Sequence, residues 1–157
     1  MIDINDVQDN VWTLSKTLPS FDIDSIFIEQ NGTLDKLFYN NESLHELRSC
    51  SKLLVAMAIG IAIDKKMLTL DTLVYPIIKG IVEIENEKNI EKIKEWNIRH
   101  LLTHTTGYDK QLMSERLIVN IDKDKLLEYV LNYAIPYEVG NRFAYNNVEP
   151  FLISVFF

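Results

Sequence analysis

The residues best suited to chemistry stand at the start of the stretch LRSCSKLLVAMAIGIAID, residues 47–64. Lys52 lies at the threshold of an eleven-residue run, 53–63, that carries no polar side chain, and Ser49 lies three residues before it. Positions i and i+3 share a helix face, so the Ser49 hydroxyl and the Lys52 amine can meet. In the first turn of a helix, free backbone N–H groups and the positive end of the dipole favour negative charge developing at Ser49. Lys52, followed at once by apolar side chains, is expected to sit partly out of water. Desolvation disfavours an ammonium and turns the amine toward a general base. A serine needs such a base before it can attack an acyl group. The bare S-x-x-K pattern is weak, because eight serines and twelve lysines in 157 residues give about 0.6 chance matches. The alternative makes Ser49 an N-cap and Lys52 a surface residue whose stem covers apolar neighbours.

These side chains need elements to hold them. Residues 49–66 read as a helix, apolar on every face and therefore buried on every face. Ahead of it, IDSIFIEQNGTLDKLFYNN reads as a hairpin, with strands at 25–30 and 36–39 and turn chemistry from Asn31-Gly32. Residues 77–95 form a charge-rich amphipathic stretch that reads as a helix solvated on one side. Within it, 81–94 is expected to be peripheral. Asn97 suits the N-cap of a short helix at 98–103, with Gly107 ending it. Asp122 or Asp124 can cap the next helix, KLLEYVLNYA, whose Leu126, Leu127, Val130 and Leu131 are spaced for one apolar face. Pro136 breaks it. The final run, FLISVFF, reads as the start of a buried helix that is cut inside the element.

Composition sets outer limits. With 47% hydrophobic and 25% charged residues, the chain is long enough to bury one core. A net charge of −7 and no basic cluster argue against a nucleic-acid partner, because phosphate binding needs a basic face. The single cysteine, Cys50, excludes an internal disulfide. The N-terminal MIDINDVQDNVW lacks a basic region followed by an apolar one, so no signal peptide is expected. The 53–63 run is too short to span a bilayer. A cytoplasmic location without a membrane anchor is the expectation. His100 and His104 are four apart on one helix face, but two ligands do not make a zinc site and no H-E-x-x-H motif is present. No metal and no cofactor are expected.

The ordered set SCSK, LTLDTLV, IRHLLTHTTG and GNRFAYNN resembles the serine β-lactamase and penicillin-binding protein superfamily. The resemblance is to its class C β-lactamase, D-alanyl-D-alanine carboxypeptidase and esterase branch, and it runs from about Asp24 to the end of the chain. It implies an α+β fold, an antiparallel sheet flanked by helices with a helical subdomain. On that frame the chain reads as the N-terminal portion of one domain: hairpin and nucleophile helix at 24–70, helical subdomain at 71–147, and the start of a truncated helix at 148–157. The resemblance makes Ser49 the acylated nucleophile, Lys52 its base, Tyr145 the proton-shuttling tyrosine of a Y-x-N motif and Asn147 the substrate-binding residue. HTTG at 104–107 is implied to be a positioning turn. Tyr39-Asn40-Asn41 also fits Y-x-N but precedes the serine, the wrong order for the family.

Departures are Val139 in place of proline, Asn146 in place of serine inside Y-x-N, and Thr106 in place of serine after His104-Thr105. The K-T-G or H-x-G motif, and the strands around it, are absent from the 157 residues. The implied function is a serine hydrolase working through a Ser49 acyl-enzyme on an amide or ester: a β-lactam, a D-Ala peptide or a carboxylic ester. The rival is a non-catalytic fragment, or a penicillin-recognising sensor, lacking the third motif. The implied partners are a small-molecule or peptide acyl substrate, and association through an exposed edge or with the missing C-terminal half.

Overall fold

Asn31 and Gly32 both adopt positive φ, 54° and 78°, the conformation of a type I′ turn whose twist matches that of paired strands. In the computed structural model, which describes residues 3–17, 23–38 and 44–156, this turn joins β1 (Ser25–Gln30) to β2 (Thr33–Phe38). The antiparallel register sets Gln30 opposite Thr33, Ile28 opposite Asp35 and Ile26 opposite Leu37. The second strand therefore starts at Thr33 and not at Lys36, because a two-residue turn resumes pairing at once. Tyr39-Asn40-Asn41 lies outside the described residues. Before the hairpin, α1 (Ile4–Thr17) is a helix that the sequence reading did not anticipate. Its Val7 and Val11 are half-buried, whereas Trp12 and Leu14 are exposed. The chain divides into two compact units, Met1–Glu46 and Leu47–Phe157. The α1 helix and the hairpin belong to the first.

The second unit opens with a 3-10 turn (Arg48–Cys50) that runs into α2 (Ser51–Asp64). The helix thus begins two residues later than the sequence pattern implied. It ends at Asp64 because Lys66 takes positive φ, 58°, while its N–H reaches Ile63 O and that of Met67 reaches Ala62 O. Burial of α2 on every face is not what the structure has. Val55, Ile59, Ala62 and Ile63 pack against the core, and α2 meets α8 (Val148–Phe156). Leu53, Leu54, Met57 and Ile61 are exposed. An all-apolar helix shows that burial is affordable on any face, whereas neighbours decide which face is buried.

Between them, short helices wrap one core. These are α3 (Tyr75–Ile78), α4 (Glu87–Glu95), α5 (Ile98–Leu102), α6 (Glu115–Ile118) and α7 (Leu126–Asn132). Trp96, Ile98, Leu101, Tyr108, Leu112, Val130, Leu131, Val148 and Leu152 are among its most buried members. Each such side chain contributes about 1.5–3 kcal/mol when taken from water. Trp96 donates its Nε1–H to Thr106 O at 2.9 Å, and the Tyr108 hydroxyl donates to Val130 O at 2.6 Å, so neither polar end is orphaned. The single helix expected over 77–95 is broken. Gly80 at φ 93° and a bridge between Lys79 and Val82 separate α3 from α4. Asn97 does cap α5, its side chain accepting from His100 N at 3.0 Å. Asp122 accepts from Asp124 N and caps the 3-10 turn (Lys123–Lys125) that precedes α7.

The stretch around α4 is less peripheral than its charge suggests, since Asn89 and Ile93 are buried. Asn89 donates to Leu131 O and Tyr133 O, both at 2.7 Å, and accepts from Ile135 N. Glu85 and Glu87 do remain exposed. Alanine at either position should change stability by no more than about 0.5 kcal/mol, the usual range for surface changes. Urea unfolding of the two variants checks this, and a loss of 2 kcal/mol or so would mean that their carboxylates hold the fold.

Candidate active site

Three segments bring the sequence-selected residues together. The turn before α2 carries Ser49, the first turn of α2 carries Lys52, and the chain entering α8 carries Tyr145 and Asn147. The Tyr145 hydroxyl lies 2.7 Å from Ser49 Oγ, although the two residues are 96 apart in sequence. Lys52 Nζ donates to Ser49 Oγ at 3.2 Å and to Asn147 Oδ1 at 2.7 Å. It also lies 4.9 Å from the centroid of the Tyr145 ring. Ser49 sits in the 3-10 turn and not in α2 itself, yet the i, i+3 meeting with Lys52 is retained. Lys52 is half-buried, whereas Ser49 and Tyr145 are exposed to solvent.

The Tyr145 phenol is held below its usual pKa, first by the Lys52 amine and then by the Ser49 hydroxyl. Partial burial and the neighbouring Cys50 act the other way. Tyr108 shows the opposite environment: burial, then the Glu149 carboxylate, push its phenol well up. One tyrosine is thus prepared to ionise and the other to stay neutral. A phenol whose pKa is lowered ionises more readily, and the resulting phenolate can accept the proton of a neighbouring serine.

Asn147 is oriented from both ends. Its Nδ2 donates to Met113 O at 3.1 Å, its backbone N donates to Gln111 Oε1 at 2.8 Å, and its Oδ1 is left to Lys52. Gln111 was not foreseen; it lies in a loop whose sequence carries no chemical pattern. The 104–107 turn is laced to the segment that leads to Tyr145. Ala144 N donates to His104 O at 3.0 Å, Gly140 N to Thr105 O at 2.8 Å and Tyr137 N to Gly107 O at 3.1 Å. It is His104, at φ 53°, that ends α5, and Gly107 lies three residues further on. Thr105 N returns to His100 O and His104 N to Leu101 O, the paired bonds of a Schellman ending.

His104 turns its Nδ1 to Glu149 Oε2 at 3.0 Å, and no group of three or more metal-ligating side chains occurs among the described residues. No helix among the described residues is long and apolar enough to cross a membrane. A cavity of about 50 Å³ lies between Lys52, His104 and Pro150. A larger apolar groove, about 320 Å³, runs between α2 and α8 along Ile59, Ile61, Met67 and Ile153, and none of the four selected residues lines it.

An α+β chain that sets a serine against a lysine and a tyrosine has the makings of a serine acyl-transfer protein. The model of the family described as Beta-lactamase matches residues 35–149. The chain belongs to that family, and with it to a superfamily of serine hydrolases. No curated protein matches the chain.

Proposed function

We propose that the protein is a serine hydrolase that forms an acyl-enzyme at Ser49 on an amide or ester. The observation that carries this reading is the placing of Ser49 Oγ within 2.7 Å of the Tyr145 hydroxyl and 3.2 Å of Lys52 Nζ. In the resting phenol form, Tyr145 donates to Ser49. Once ionised, with the Lys52 ammonium stabilising the phenolate, Tyr145 accepts the Ser49 proton as Oγ bonds to the acyl carbon. The proton then passes to the departing amine or alcohol as the acyl–heteroatom bond breaks. Water, deprotonated along the reverse route, releases the acid and restores the Ser49 hydroxyl. Asn147, fixed by Gln111 and Met113, orients the lysine through Oδ1 and keeps its second Nδ2 hydrogen for the substrate.

The test is to incubate the protein with a chromogenic ester and with a labelled penicillin and to map any adduct by mass spectrometry. An adduct on Ser49 supports the reading; labelling confined to Ser51 or Cys50, or no labelling, overturns it. Release of the ester's acid in excess of one equivalent separates hydrolysis from acylation without turnover.

The lowered phenol sets the sign of the pH dependence. With the Tyr145 pKa below the usual tyrosine value of about 10, the phenolate fraction, and with it the acylation rate, should rise with pH along a limb whose midpoint lies below that value. Lys52→Ala removes the largest cause of the shift, so the midpoint should move up and the rate at neutral pH should fall. A midpoint unmoved by Lys52→Ala would show that another group titrates.

A further inference from the structure

We infer that Glu149 is a positioning residue for the Ser49 site: its buried carboxylate ties together His104, Thr106 and Asn146, and through them fixes Tyr145 and Asn147. The inference rests on the reading of Ser49 and Tyr145 as the reacting groups. Glu149 lies in the first turn of α8 and is fully buried, on a stripe whose other members are Val148, Leu152 and Ile153. Packing alone would fill that position with an apolar side chain. Burying a carboxylate is costly, and a hydrophobic residue of similar volume is often as good or better for stability. The site keeps the acid and surrounds it. Thr106 Oγ1 donates to Oε1 at 2.6 Å, Asn146 Nδ2 donates to Oε1 at 3.2 Å, and His104 Nδ1 lies 3.0 Å from Oε2.

Each partner leads to the site. Asn146 stands between Tyr145 and Asn147, and its Oδ1 accepts from Val148 N at 2.6 Å, so its side chain sets how the chain enters α8. Thr106 belongs to the turn laced against the segment before Tyr145. His104 packs its ring on Tyr145, centroids 5.2 Å apart, and meets the edge of Phe143 at 5.9 Å. His104 also occupies the left-handed position of the α5 ending, where glycine is the usual residue. A non-glycine residue there carries backbone strain, because its Cβ crowds the following carbonyl oxygen. Residues held in such conformations cluster at functional sites, where surrounding contacts over-determine them. Here the contacts are Glu149 on the ring nitrogen and Tyr145 on the ring face. Arg48, next to Ser49, is likewise at positive φ, 45°.

The experiment uses the full chain labelled with 13C at the tyrosine ring carbon bearing oxygen, with Tyr145→Phe assigning the Tyr145 resonance. Its titration is followed by NMR, beside the rate of acylation by an activated ester. Glu149→Gln keeps the volume but replaces an acceptor oxygen with an NH₂ donor. His104→Asn keeps a residue that tolerates the left-handed conformation but removes the ring. In folded protein, both variants should move the Tyr145 midpoint up toward the ordinary phenol value. Both should slow acylation by roughly tenfold to a hundredfold, the scale of misplacing reacting groups by up to about 1 Å. If Glu149→Gln does not fold, His104→Asn decides. A midpoint and a rate equal to those of the parent would overturn the inference and leave Glu149 a structural group only. If the parent protein does not acylate at all, the hydrolase reading fails, while the tyrosine titration still judges the positioning.

Discussion

Replacing Ser49 by alanine should abolish covalent labelling by an acylating probe, while Ser51→Ala should retain it. Both serines lie at the entry to α2, and position alone does not separate them. Their partners do. Ser49 Oγ faces the Lys52 amine and the Tyr145 hydroxyl. Ser51 Oγ donates to Arg48 O at 2.6 Å, and the residue three positions on is Leu54. A hydroxyl bonded to a backbone carbonyl has no base to take its proton. Lys52→Ala should lower the acylation rate by roughly 10² or more, because it removes the cation that favours the phenolate and leaves the serine with one partner. Tyr145→Phe should cost a similar factor, and the double variant should cost little more than either single one if the two groups act as a unit. The measurement is the time course of adduct formation by intact mass, fitted for each variant. Additive losses would mean that lysine and tyrosine act independently.

The four candidate residues were picked out in the sequence because each is a chemical type within a short motif. Ser49 and Lys52 stand three residues apart, and their meeting with Tyr145 and Asn147 across the chain was implied by the resemblance that the ordered motifs carry, not by spacing. What supports them was not legible. Gln111 and Glu149 belong to no pattern; a glutamate at the start of an apolar helix reads as a favourable charge on the dipole, and only the packing reveals that it is buried among three polar partners. The end of α5 was misplaced for a related reason. Gly107 is the residue that a left-handed ending favours, but His104 takes that conformation, and the choice is visible only in the paired bonds to His100 and Leu101. Composition misled at α2, where apolar side chains on all faces said nothing about which neighbours exist, and at 77–95, where a charge pattern concealed the break at Gly80.

Gly107, freed from ending the helix, has a different task, and Gly107→Ala should be among the most destabilising single substitutions in the second unit. Its φ is 97°, outside the range that L side chains readily adopt, and a Cβ there would stand 2.4 Å from Tyr137 O and 2.8 Å from Ile135 Cγ2. The first neighbour is backbone and cannot swing away. It is also pinned, since Tyr137 N donates to Gly107 O at 3.1 Å and draws the two chains together. Backbone strain and overpacking each cost about 1–3 kcal/mol, so a loss of roughly 3–5 kcal/mol is expected. Gly80 supplies the comparison: its φ is 93°, but no atom lies within 4 Å of its would-be Cβ. Gly80→Ala should therefore carry the strain alone, about 1–2 kcal/mol. Urea midpoints at unchanged slope measure both. Equal losses at the two glycines would mean that the 104–107 turn does not approach Tyr137 as closely as described. The larger loss at Gly107 would show that this turn is pressed against 135–137 without room for one methyl group, which is the rigidity that the segment leading to Tyr145 requires.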